Sequence, residues 1–306
     1  MTPSSRVARL AWGVLAYTTL VILWGGVVRA TGAGAGCGAH WPLCNGEVVP
    51  TSGALNTLIE FGHRVTSGLA LPLVLVLAWR VWKAFPRGSG VRASAAAGVV
   101  FMVLEGAIGA GLVLFEYVAY NPSIMRAVWM AGHLTNTFLL LAAITLTAWG
   151  AGGAARPRLH ADGRTLAVAA ALVAMLVLGA GGAVTALGDT LVLGGGLDPA
   201  TDPVVAALIS ARLFHPAMAF VALGAVALAV WASRPAGPDV VQRGMLIVGL
   251  MVFQMTLGAV NVWLLAPLWL QITHLLVTDI IWVALVVFAA SSLAAPRAAT
   301  AAIAVA

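Results

Sequence analysis

The sequence predicts an all-α integral membrane protein with eight transmembrane helices in two tandem, pseudo-twofold-related four-helix bundles. Composition is the first reason: of 306 residues, 61% are hydrophobic and 8% charged, against about 25% charged in a soluble domain. Mean hydropathy is +1.01. The second is a set of eight apolar runs, each long enough to cross a bilayer, which takes about 20 residues. The third is an internal echo between residues 1–150 and 151–306, with four runs in each part.

The first run spans roughly 8–29 and follows a short basic stretch, Met1 to Arg9. It ends at Val28-Arg29 without a cleavage-site pattern, so it reads as a membrane helix rather than a signal peptide. The others span roughly 56–80, 93–116, 123–149, 165–188, 204–232, 241–264 and 267–292. Breaks such as Pro86-Arg87-Gly88, Arg156-Pro157-Arg158 and Arg234-Pro235 separate several of them. Basic residues set the orientation. Arg6, Arg9, Arg80, Lys83, Arg87, Arg92, Arg156, Arg158, Arg164, Arg234, Arg243 and Arg297 fall on one side, and Arg29, Arg64, Arg126 and Arg212 on the other. Both termini are therefore expected in the cytoplasm and the protein in the plasma membrane. The formal charge of +6 is spread over loops and gives no nucleic-acid footprint.

The echo is local and specific. Trp24-Gly25-Gly26-Val27-Val28 matches Gly181-Gly182-Ala183-Val184, and Leu104-Glu105-Gly106-Ala107-Ile108-Gly109 matches Phe253-Gln254-Met255-Thr256-Leu257-Gly258. His63 matches His215, and His133-Leu134-Thr135 matches His274-Leu275-Leu276. Four helices per repeat give both halves the same orientation. The glycines are read as close-packing positions between helices.

Ionisable residues inside a bilayer are costly and mark function by default. A lone buried histidine is as easily a structural residue, but four in a repeated pattern fit the axial ligation of two hemes, one per bundle. His63 and His133 would hold one, His215 and His274 the other. Zinc is the weaker option, because each bundle offers two histidines and few other soft ligands, and His40 and His160 fall in loops. The halves differ before the leading histidine: Glu60-Phe61-Gly62-His63 against Arg212-Leu213-Phe214-His215. One turn from His63, Glu60 is expected near the heme edge as a base or a stabiliser of positive charge. The alternative is a helix-end residue favoured by the dipole. Arg212 and Arg126 lie one and two turns from His215 and His133, and with Arg64 are candidates to bind heme propionates; the plainer alternative is snorkelling to lipid headgroups. Cys37 and Cys44 share one outer loop, where an oxidising compartment favours a disulfide, as a staple or a redox pair.

Glu60-Phe61-Gly62-His63-Arg64, His133-Leu134-Thr135, Phe214-His215 and His274-Leu275 resemble the histidine segments of the heme A synthase family. The Cys37-to-Cys44 loop and residues 24–34 are similar to bacterial members. The resemblance implies oxidation of the C8 methyl of heme O to a formyl group, giving heme A for terminal oxidases. It also implies that His63 and His133 hold the substrate heme, that Glu60 assists the chemistry, and that His215 and His274 hold a heme b cofactor. The expected partners are heme O, a heme O synthase, an electron acceptor such as a quinone, and the lipid bilayer. Two other readings use the same histidines: a diheme b-type electron-transfer protein acting on quinone, which does not need Glu60, and a heme carrier.

Overall fold

The computed structural model describes residues 3–294. Nine α-helical segments among them build eight crossings: α1 Pro3–Ala30, α2 Leu55–Ala84, α3 Gly90–Leu114, α4 Ile124–Ala151, α5 Gly163–Asp189, α6 Pro203–Ser210, α7 Phe214–Ala232, α8 Pro238–Trp263 and α9 Leu268–Ser292. The protein is a multi-pass, all-α membrane protein. Arg297, counted above among the basic residues, lies outside the described residues.

Capping chemistry fixes several helix starts. Ser89, Ser123, Asp162 and Asp202 each accept a hydrogen bond from a backbone N–H in the first turn of α3, α4, α5 and α6. The Asp162 carboxyl, outside the membrane span, is held below its ordinary range by the Thr165 backbone and side-chain hydrogen bonds. Pro203 and Pro238 open α6 and α8, where a missing N–H costs nothing.

One expectation changes. The sixth run, read as a continuous helix over 204–232, tightens to a 3₁₀ turn at Ala211–Leu213 and restarts as α7. Pro216 supplies the reason: it has no N–H to pair with the Arg212 carbonyl, and its ring crowds that carbonyl. The irregular turn carries Arg212 and sits directly before His215.

The two halves share one hydrophobic core. A single cluster of buried side chains runs from Val14 and Leu77 through Phe138 and Ile144 to Val226 and Leu285. Trp282 of α9 stacks on Phe138 of α4 with centroids 5.1 Å apart, and its Nε1 donates to the Phe138 carbonyl at 2.7 Å. At the opposite end of the bundle, Arg29 of α1 donates to the Ala186 carbonyl, Thr190 Oγ1 and Gln271 Oε1 at 2.8, 2.7 and 2.7 Å. That bridge gives Arg29, an exception to the basic-residue bias, a structural task. The loop after α4 meets the end of α9 through Arg158 N–H to the Leu293 carbonyl, so those two segments share a face.

Candidate functional site

Residues from both halves line one cavity of about 2210 Å³. Pockets for ordinary small ligands hold roughly 300–1,000 Å³, so this space suits two bulky ones. His63 on α2, His133 on α4, His215 on α7 and His274 on α9 all open on it.

One local device recurs. Each imidazole lies beside a glycine on the preceding crossing. A methyl group on Gly25 of α1 would stand 3.1 Å from His63 Cε1, one on Gly182 of α5 3.0 Å from His215 Cε1, and one on Gly258 of α8 3.1 Å from His274 Cε1. On Gly109 of α3 it would stand 3.9 Å from His133 Cε1. Three of the rings thus occupy space that any other residue would take. The glycines read from sequence as helix-packing positions also seat the histidines. Gly25 plays the part of Gly182, not Gly181, so the repeat shifts by one residue there.

Each half contributes two of these histidines to the cavity, His63 and His133 from the first and His215 and His274 from the second. The Nδ1 atoms of His63 and His274 are buried without a hydrogen-bond partner among the described residues. His133 is held differently. Its Nε2 lies 3.0 Å from Glu105 Oε1 on α3. Glu105 also accepts from Thr137 Oγ1 at 2.5 Å and Asn136 Nδ2 at 2.6 Å. The equivalent Gln254 on α8 turns to the backbone instead, donating to the His274 carbonyl at 2.8 Å and to Thr278 Oγ1 at 2.6 Å. Sequence reading noted the Glu105–Gln254 echo but gave Glu105 no part. A carboxylate in the middle of an apolar run was the signal. Asp279 of α9 carries the same signal; it is buried, and neither oxygen has a partner among the described residues.

Glu60 lines the cavity and is 3% exposed, but its partners are the loop between α1 and α2 and Arg64 of its own helix. Oε2 accepts the Cys37 N–H at 2.8 Å, and Oε1 pairs with Arg64 Nη2 at 2.5 Å and Nε at 3.1 Å. Arg64 Nη1 donates to the His40 and Leu43 carbonyls, each at 2.5 Å. Thr57 Oγ1 adds a bond to the Gly36 carbonyl at 2.8 Å. Positions 57, 60 and 64 share one face of α2, and that face clasps the loop. Gly36 is required there, since a Cβ would fall 2.3 Å from the Asn56 carbonyl oxygen. Cys37 and Cys44 are joined in a disulfide, and Trp41 and Pro42 between them reach the cavity wall.

The candidate propionate ligands differ in what they have left to offer. Arg64 is engaged by Glu60 and two carbonyls. Arg212 forms an ion pair with Asp189 at 2.9 Å. Arg126 is 2% exposed, lines the cavity and spends one nitrogen on the Asn121 carbonyl at 3.1 Å. Its Nε has no partner among the described residues. His40 and His160 are exposed in their loops.

The profile of the COX15-CtaA family, described as cytochrome oxidase assembly protein, matches residues 8–286. The chain belongs to that family. The match takes in all four histidines, both cysteines, Glu60 and Glu105. A protein of Thermus thermophilus named protoheme IX farnesyltransferase is 46% identical over 303 residues, covering 95% of this chain and 49% of that protein. The chain thus spans about half the length of this relative. Heme A synthases of Alkalihalophilus pseudofirmus and Halalkalibacterium halodurans are 44% and 42% identical over 96 residues, 31% of this chain and 32% of each relative. Among the described residues no three His, Cys, Asp or Glu side chains converge as a bare metal ion would require.

Proposed function

We propose that this chain is a heme A synthase of the plasma membrane, with both termini in the cytoplasm, oxidising the C8 methyl of heme O to the formyl group of heme A. The observation that carries the reading is the placement of four imidazoles, two from each half, on one cavity of about 2210 Å³ in a member of the COX15-CtaA family. The residues fit heme. Iron is held axially by imidazole, and all four imidazoles line the cavity, two from each half. The glycine seats leave room for rings and nothing larger.

In this proposal residues 1–150 form the substrate half. His63 and His133 bind the iron of heme O and fix the macrocycle, while Arg126 offers an uncommitted cation to a propionate. The Glu60–Arg64 pair holds the disulfide loop over the mouth, which keeps bulk water from the reacting edge. The Glu60 carboxylate takes a proton or stabilises positive charge as the methyl carbon loses electrons. Residues 151–306 form the cofactor half, where His215 and His274 would hold heme b. That group, when bound, supplies one-electron redox chemistry. Electrons pass on to a membrane acceptor such as a quinone.

The longer Thermus relative supports a heme O synthase as the partner, because transfer of a farnesyl group onto protoheme IX yields the kind of heme this site would take. That relative's name also suggests a second reading, in which this chain itself transfers the farnesyl group. Prenyl diphosphates are handled through carboxylate-held Mg²⁺, and the described residues bring no such cluster together.

Pigment analysis of the chain purified from cells that make heme O tests the reading. Heme A or heme O beside heme B is expected. Heme B alone would favour a diheme electron-transfer protein, and absence of heme would end both.

A further inference from the structure

His133 and His274 are equivalent in the repeat, yet their surroundings are not. The far nitrogen of His133, Nε2, is occupied by Glu105 Oε1 at 3.0 Å. The ring also stands off its glycine, at 3.9 Å from a Cβ on Gly109 against 3.0–3.1 Å at Gly25, Gly182 and Gly258. Glu105 itself is fixed by Thr137 Oγ1 and Asn136 Nδ2, one from each side of the carboxylate. Gln254, in the equivalent place, leaves the His274 ring alone and bonds the backbone carbonyl of that residue.

On the reading above, one half must release its heme after every turnover and the other must keep it. We infer that Glu105 is the positioning residue that makes the first half exchangeable: it competes with heme iron for Nε2 of His133 and recovers the ring when product leaves. The exchange breaks one Nε2–H···Oε1 hydrogen bond and forms one Fe–Nε2 bond. The ring proton shifts to Nδ1, and the carboxylate keeps its charge throughout. The freed carboxylate stays held by Thr137 and Asn136, poised to take the ring back. Such a bond to a charged group biases an equilibrium by roughly 10- to 100-fold. The second half has no competitor at this position, which suits a resident cofactor.

The experiment measures heme loss to an excess of apomyoglobin from the purified, heme-loaded chain, with each heme identified by extraction. Thermal midpoints are read in parallel. Glu105→Gln should slow loss of heme O roughly 10- to 100-fold and leave the heme B rate unchanged. Gln254→Glu should speed heme B loss, and it tests the same idea should the first variant fail to fold. Equal rates in wild type and Glu105→Gln, or faster loss of heme O, would overturn the proposal. A lowered thermal midpoint with both heme rates altered alike would also overturn it, because that is what a merely structural role gives. His133→Ala separates the two levels. If it keeps heme O, the ligand assignment fails and this inference with it. If it loses heme O while Glu105→Gln changes nothing, the inference alone falls.

Discussion

The two halves of the molecule set each histidine beside a glycine of the preceding crossing and surround these histidines with different charges. In the first half a carboxylate sits at both histidines: Glu60 one turn before His63, and Glu105 on the Nε2 of His133. In the second half the equivalents are Arg212 and Gln254, the first paired with Asp189 and the second bonded to backbone. The comparison teaches that repetition of ligands need not mean repetition of task. On the proposed reading, the histidines and their glycines set where two flat groups lie, and the acids and amides around them decide which group is held, released or acted upon.

Glu60 breaks the comparison most sharply. Glu60→Gln should lower methyl oxidation by about 10²–10⁴-fold, the usual worth of acid–base assistance, while heme O or a hydroxylated intermediate accumulates in the pigment profile. The amide still accepts the Cys37 N–H but loses the charge opposite Arg64. Arg64→Met separates the two duties: an equal loss of activity there would make Glu60 a loop clasp rather than a participant.

The loop comes next. Alkylation and mass spectrometry without reductant should find Cys37 and Cys44 joined, and replacing both by Ser should cost about 2 kcal/mol of stability. Full heme A output from that variant would leave the bridge as a staple alone.

A smaller effect distinguishes the arginines. Arg126→Gln should weaken binding of hemin roughly tenfold, with no change for hemin dimethyl ester, which carries no propionate charge. Arg212→Gln should do less, because Asp189 already takes up much of its charge. Equal losses for hemin and its ester would remove Arg126 from propionate binding.

The finest test lies in the glycines. Gly182→Ala and Gly258→Ala push a methyl against His215 and His274 and should broaden or shift the heme b spectrum. Gly109→Ala, whose methyl would meet His133 Cε1 at an ordinary contact distance of 3.9 Å, should leave the first-half spectrum unchanged.

Much of this was legible in the sequence, for physical reasons. A crossing must hide every backbone polar group within its own helix, so length and hydropathy alone expose it. All eight runs fall within a few residues of the crossings observed. The sixth hid its 3₁₀ turn because hydropathy does not register the backbone donor that Pro216 lacks. The four histidines stood out through the cost of polar groups in lipid. Glu105 carried the same cost and was passed over, since its meaning lies in an atom-level contact with His133 from a different helix. The partners of Glu60 were invisible for a related reason. Residues 60 and 63 share a helical face, but the carboxylate took Arg64 of its own helix and the Cys37 N–H of the loop instead, and the loop contact depends on a fold the helix pattern does not encode.

Extracting and quantifying each heme from single-histidine variants puts the central claim to its most direct trial. The account predicts that His63→Ala and His133→Ala lose heme O and heme A while keeping heme B, and that His215→Ala and His274→Ala lose heme B. Loss of the same heme from all four variants, or full retention in both members of a pair, would contradict it.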